Sequence, residues 1–267
     1  MNILSPRKIE CLDDLISLKK ELAICRMNGY FPLYRGQAKD WTLLPSIARK
    51  EDRKHNSFPD KIQTIEKKVL QLMKRLLEDK STKNFIKQRF LNGNYMNEQD
   101  WSLYFQARHL GLPTRLIDFT ASIETASYFA VDSLSDDDGE LWIFCCPREI
   151  FAADNRINSY LDIPISNMEG VIAINHPFDG DVSHENFPAE YRKHKQNGLF
   201  VMQSFEHIKF PLNENPKIWN LFMKVKIPQS SKSQIRAELI GKESRYAKLS
   251  PDLPLELSSK IEEFYKS

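Results

Sequence analysis

The 267-residue sequence contains no G-x-S-x-G, no H-E-x-x-H, no G-x-x-x-x-G-K-[ST] and no G-x-G-x-x-G. The familiar signatures of serine hydrolysis, zinc proteolysis, P-loop phosphate binding and dinucleotide folds are therefore missing. Cysteine is scarce: Cys11, Cys25, Cys145 and Cys146 form no C-x-x-C pair and none lies near a histidine at zinc spacing, so no metal is expected. Cys145 and Cys146 are neighbours in an apolar run, which suits small buried residues better than a bridge, and a reducing compartment is the plain reading. No apolar run approaches membrane-spanning length, and the opening stretch Met1 to Arg7 lacks the apolar core of a leader. A cytoplasmic protein with no membrane partner is expected. Net charge is only +2, so nucleic-acid binding cannot be argued from the total. Internal repeats and low-complexity segments are absent as well.

What is present suits a globular protein. Hydrophobic residues make up 41% and charged residues 28%, with sixteen Phe and nine Tyr for an aromatic core. A chain this long buries most of its surface without a staple. Periodicity predicts a helix over Leu12–Met27 and a clearer one over Asp60–Asp79, where Ile62, Ile65, Val69, Leu72, Met73 and Leu76 share a face. A further helix is predicted from Asn97, with Trp101, Tyr104 and Phe105 inward, stopping near Gly111 and Pro113. Ser122 is an N-cap candidate for a short helix that turns Ile123, Ala126 and Phe129 inward. Strands are predicted over Phe31–Gly36, Thr114–Phe119, Glu140–Cys146, Val171–Asn175, Leu199–Gln203 and Leu221–Ile227, and Trp41–Pro45 reads as extended. Helix returns over residues 231–266. Helices dominate the first half and strands the second without βαβ alternation, which favours α+β.

Three segments concentrate chemistry. In Tyr34-Arg35-Gly36-Gln37, an arginine ends an apolar strand beside a glycine. Its guanidinium fork suits phosphate or carboxylate, or pairs structurally with an acid such as Asp118. The second segment runs from Gln106 to Ala130. Arg115 and Asp118 alternate there with Leu116 and Ile117, and Thr120 and Ser122 sit where strand hands over to helix, a natural anion site. Ser122 also reads as a plain cap, Tyr128-Phe129 as core, and His109 as a structural residue before a general base. The third segment, Tyr191 to Phe200, is a basic stretch leading into a strand, and reads equally as a phosphate contact or a solvated loop. Lys67, Lys68, Lys74 and Arg75 give the long helix a basic face, read first as its wet side and second as a nucleic-acid surface.

These segments resemble the FRG-domain family. The family pattern opens with an aromatic residue, Arg-Gly-Gln, then Trp, Leu and Pro, matched by Tyr34-Arg35-Gly36-Gln37, Trp41, Leu43 or Leu44, and Pro45. Its middle is matched from Gln106 to Thr120 and by Ala126-Ser127-Tyr128-Phe129-Ala130. Its later part is matched by Arg192, Gln196, Gly198 and Phe200, and its close by Pro251-Asp252-Leu253. One residue is inserted between Gln106 and His109, so both stand as occupants of the family's polar position, and Phe119 replaces a tryptophan.

The resemblance implies a single domain over residues 1–267, with its signature over about 30–205. A helical N-terminal half would pack on a mixed, mainly antiparallel sheet similar to ADP-ribosyltransferases. It further implies an NAD-dependent transferase acting on nucleic acid, RNA above all, as a toxin in a toxin–antitoxin or phage-defence system with an antitoxin protein as partner. A non-catalytic nucleotide or nucleic-acid binding module and an NAD hydrolase are the alternatives. On this reading Arg35, Thr120, Ser122 and Gln196 are catalytic, with Gln203 a rival for Gln196. Arg35, Gly36, Gln37, Arg115, Asp118, Tyr128 and Phe129 hold NAD, and Lys67, Lys68, Lys74, Arg75 and Arg192 contact nucleic acid.

Overall fold

A computed structural model describes residues 8–80, 82–83, 100–133, 136–152, 170–175, 198–242 and 255–266. In chain order the elements are α1 (Leu12–Met27), β1 (Tyr30–Gln37), α2 (Phe58–Glu78), α3 (Asp100–His109), β2 (Ile117–Thr120), α4 (Ile123–Val131), β3 (Gly139–Pro147), β4 (Phe151–Ala152), β5 (Val171–Asn175), β6 (Gly198–Gln203), β7 (Phe222–Ile227), α5 (Gln229–Lys242) and α6 (Leu255–Lys266). Local chemistry sets several of these boundaries. The Asp14 carboxylate accepts from the N–H groups of Glu10 and Cys11 to start α1, Pro59 stands in the first turn of α2, and Ser122 Oγ accepts from Thr125 N to cap α4. Gly111, at φ +81°, supplies the left-handed residue just past α3.

The strands form one sheet in the order β4-β5-β6-β2-β1-β3-β7. Every neighbouring pair is antiparallel except β4 with β5, so the domain is α+β with a mixed, mainly antiparallel sheet. The helices come from both halves of the chain, not the N-terminal half alone, and β1, an N-terminal strand, lies near the middle of the sheet.

Two helical groups share one face of that sheet. Helices α1, α4 and α5 pack on Tyr34, Leu141, Ile143, Met223 and Val225. Helices α2, α3 and α6 pack on Ile172, Ile174, Phe200 and Met202. The opposite face, including Leu33, Phe119, Phe144 and Val201, is covered by loop residues such as Leu43, Leu212 and Ile218. Between the helical groups run β1 and β2, which register at one pair, Tyr34↔Thr120, whereas β1 and β3 pair from Tyr30↔Pro147 to Gln37↔Glu140. The seam of the sheet and the gap between the helices thus coincide.

One expected strand comes out shorter, and the extended stretch Trp41–Pro45 joins no strand. Residues 114–116 do not join β2, because the Thr114 and Arg115 main-chain N–H groups donate to Ser46 Oγ and Tyr104 Oη instead of to a strand. Trp41–Pro45 is no strand; the Leu43 carbonyl accepts from Leu212 N. Ile123 and Ala126 are buried as expected, while Phe129 remains 37% exposed. The Trp101 side chain lies outside the described residues. Cys145 and Cys146 are buried free thiols, each pushed up to about 12 first by burial.

Contact between β1 and α4 depends on Gly36. A Cβ there would stand 1.7 Å from the Ala126 carbonyl oxygen and 2.8 Å from Ala130 N. Backbone cannot swing aside as a side-chain tip can, so Gly36→Ala must push helix from strand. Such overpacking costs about 1–3 kcal/mol or more, and a thermal midpoint lower by roughly 2–12 °C is expected for a chain of this size. An unchanged midpoint would mean that α4 does not approach β1 this closely.

Candidate functional site

The gap over the seam is a cleft of about 460 Å³, within the usual range for a small-molecule site. Its walls come from β1, the loop after β1, α4 and the two residues after it, the last turn of α3, the end of β2 and the start of β6. A larger trough of about 1050 Å³ runs past residues 51–59 and 206–216. That trough mixes Glu51, Asp52, Arg53 and Lys54 along its rim with no convergence of charge, so size does not locate the site.

Charge converges beside the cleft, where Arg35 and Asp118 line it and Arg108 and Arg49 stand next to them without lining it. Arg35 Nη1 donates to the Asp118 main-chain oxygen at 2.7 Å and stands 3.6 Å from the Asp118 carboxylate. Arg35 Nε donates to Gln37 Oε1 at 3.3 Å. From the last turn of α3, where a cation suits the helix dipole, Arg108 grips the same carboxylate with Nη2 and Nε. Arg49, whose Nε donates to the Leu44 carbonyl, lies close enough to disfavour the charge on Arg35, and its own charge is disfavoured by burial and by Arg108. One carboxylate therefore pairs with two guanidinium groups and has a third nearby, an excess of two positive charges.

The direction of each titration follows. Burial raises the Asp118 carboxyl, but Arg108 and then Arg35 outweigh it and hold Asp118 below the ordinary carboxylate value of 3.8. Burial lowers Arg35, and Arg108 and Arg49 add to that against the pull of Asp118. Arginine nonetheless stays charged at neutral pH. Because the folded Asp118 value is the lower one, its contribution to stability is complete above the unfolded value near 3.8 and is lost as pH falls through the folded value. Unfolding curves of the native chain and of Asp118→Asn should accordingly differ above that value and converge below it. Curves that stay parallel down to low pH would mean that Asp118 carries no folded-state shift.

The structure places the remaining sequence-derived residues as follows. Gly36, Gln37, Thr120 and Phe129 line the cleft with Arg35 and Asp118. Gln37 Nε2 donates to the Trp41 carbonyl at 2.6 Å, and Thr120 Oγ1 accepts from Ser122 N. Ser122 caps α4, its hydroxyl also donating to Glu124, and does not line the cleft. Tyr128 is 5% exposed, packs in the core with α1 and α5 and does not line the cleft. Arg115 is likewise not a cleft residue. It is buried, with Nε 2.7 Å from Glu66 Oε1 and Nη1 donating to the Gln203 carbonyl, and its guanidinium lies over the Phe205 ring. Gln203 is held by Phe210 and Asn215, which leaves its amide a structural tether. Gln196 and Arg192 lie outside the described residues. Lys67, Lys68, Lys74 and Arg75 are exposed on the outer face of α2, not in the cleft.

Sequence reasoning did not single out Arg49, Arg108 or Trp41 as site residues. Arg108 stands with Ala107 between Gln106 and His109, and an arginine beside a histidine at the end of the predicted helix was the available signal. Glu66 also left a trace, since it falls in register with Ile62, Val69 and Met73 on the buried face of α2 and so required a cationic partner. Among the described residues no group of three or more His, Cys, Asp or Glu comes together as a metal site would need, and no helix is long and apolar enough to cross a membrane.

Residues 32–139 match the family model described as the FRG domain. The match spans Arg35, Trp41, Arg49, Arg108, Asp118 and Phe129, hence the whole charged cluster. No curated protein and no solved structure matches the chain.

Proposed function

We propose, on the premise that the chain carries an FRG domain over residues 32–139, that its cleft binds NAD and that the domain transfers ADP-ribose to nucleic acid. RNA is the expected acceptor, in the setting of a bacterial toxin–antitoxin or phage-defence system with an antitoxin as neutralising partner. The observation that carries this reading is the excess of two positive charges where Arg35 and Arg108 meet one carboxylate with Arg49 nearby. A pyrophosphate brings compensating negative charge, and guanidinium forks bind it directionally. Holding the pyrophosphate turns binding energy into position at the reacting sugar carbon. There the bond from ribose C1 to nicotinamide nitrogen breaks, and nicotinamide departs with the bonding pair. The acceptor oxygen or nitrogen bonds to C1 and releases its proton to solvent. Asp118, kept ionised by its arginines, offers electrostatic stabilisation to the developing oxocarbenium ion. Gln196 remains the candidate for a late-strand contact to ribose or acceptor. A glutamine cannot serve as a carboxylate base, which favours nucleic acid over a protein arginine as acceptor. The exposed basic face of α2, with Lys67, Lys68 and Arg75, supplies a surface for a phosphate backbone.

Labelled NAD incubated with the protein, total RNA and total protein tests the reading. Label on RNA supports it. Consumption of NAD without a labelled acceptor selects a hydrolase, and NAD binding without consumption selects a non-catalytic module. Neither binding nor consumption overturns the nucleotide reading altogether.

A further inference from the structure

Large hydrophobic side chains are expensive to leave in water, yet two of those that stay exposed line the cleft. Trp41, in the loop after β1, is 51% exposed and Phe129, on α4, is 37% exposed. The loop that carries Trp41 is anchored on several sides. Gln37 Nε2 donates to the Trp41 carbonyl at 2.6 Å. The buried Lys232 ammonium donates to the Ala38 carbonyl at 2.7 Å. Asp40 pairs with Lys224 at 3.5 Å, and Leu43 O accepts from Leu212 N at 2.9 Å. An indole on so constrained a loop is pre-positioned and not merely frayed into solvent. Lys39 Nζ stands 5.5 Å from its ring centroid, adding a further cation on that side of the cleft.

We infer that Trp41 is the base-stacking residue of the cleft, and that its ligand class is a nucleotide whose planar heteroaromatic ring lies on the indole while its phosphates meet the arginines. This rests on the nucleotide reading above and adds to it the residue that distinguishes a nucleotide from a simple phosphate. A π-face tolerates any base, so Trp41 provides affinity for the ring in general. A sugar phosphate or free pyrophosphate would satisfy Arg35 and Arg108 and leave the indole bare. Tyr128, which the family resemblance assigned to the cofactor together with Phe129, is enclosed in the core and cannot take this role. Phe129 bounds the same space and is the second aromatic surface.

Calorimetric titration separates the possibilities with three probes. ADP-ribose carries only the adenine ring, nicotinamide mononucleotide only the nicotinamide ring, and inorganic pyrophosphate no ring. Trp41→Ala is expected to lose roughly tenfold to a hundredfold in affinity for at least one ring-bearing probe, and the probe that suffers identifies the ring. Affinity for pyrophosphate should stay at the native value, and Trp41→Phe should recover most of the loss, since it keeps a π-face. If the ring-bearing probes bind the native chain but bind Trp41→Ala equally well, the stacking role is wrong. An equal loss for pyrophosphate would show instead that the tryptophan only shapes the loop. If none of the three probes binds the native chain, the nucleotide reading itself fails, and that result is read without any variant.

Discussion

Arg35→Ala is expected to weaken NAD binding by about tenfold to a hundredfold, the equivalent of the roughly 1.5–3 kcal/mol that a hydrogen bond to a charged group contributes, and to reduce label transfer by at least as much. Arg35 is the member of the cluster whose removal changes most. It alone comes from β1, and it bridges the seam by donating to the Asp118 carbonyl while standing 3.6 Å from the carboxylate. Without it Asp118 keeps Arg108, so two guanidinium groups and one carboxylate remain and the excess charge halves. Arg35→Lys tests geometry separately from charge. An ammonium preserves the sign but cannot reach both the carbonyl and a phosphate with a planar fork, so an intermediate loss is expected. If Arg35→Ala binds and transfers as the native chain does, with an unchanged unfolding curve, Arg35 is not a ligand residue and the cleft does not use its charge this way.

Arg115→Met is expected to act on stability and not on ligand affinity. Arg115 and Glu66 are both buried, at 1% and 0% exposure. Glu66 Oε1 accepts from Arg115 Nε and from Tyr104 Oη, and Glu66 Oε2 has no partner among the described residues. Truncating the arginine leaves a carboxylate with one phenol donor in an apolar surround. Breaking a buried pair in this way costs about 3–5 kcal/mol, enough to lower the thermal midpoint by roughly 6–20 °C. The second change Glu66→Gln in the same chain should return part of that loss, because it removes the uncompensated charge. At a temperature where Arg115→Met is folded, its affinity for NAD should equal the native value. A specific loss of NAD affinity with an unchanged midpoint would restore Arg115 to the cleft and contradict its burial.

Much of this architecture was legible because it rests on local periodicity. Residues 12–27, 171–175 and the greater part of α2, β1, β3, β6 and β7 carry patterns that report burial directly, and Ser122 announced the start of α4 through the chemistry of an N-cap. Where the reading failed, a distant group had intervened. The 114–116 segment has strand-like alternation, yet its N–H groups are taken by Ser46 and Tyr104. Phe129 follows the helical spacing of Ile123 and Ala126 but falls over the cleft, because α4 borders an opening on one side.

The site divides the same way. The sequence by itself determined the α+β class, the segments that hold chemistry, and the place of Arg35, Asp118 and Thr120 within them, since each sits at a strand end or turn whose residue types are unusual for core. Only the tertiary structure decided which arginine does what. Arg35, Arg108 and Arg115 look alike along the chain; two meet at Asp118 and the third is buried against Glu66, a residue 49 positions away. A charge's role depends on what lies within a few ångströms of it and on whether water reaches it. Both are set by packing between elements that no local pattern records.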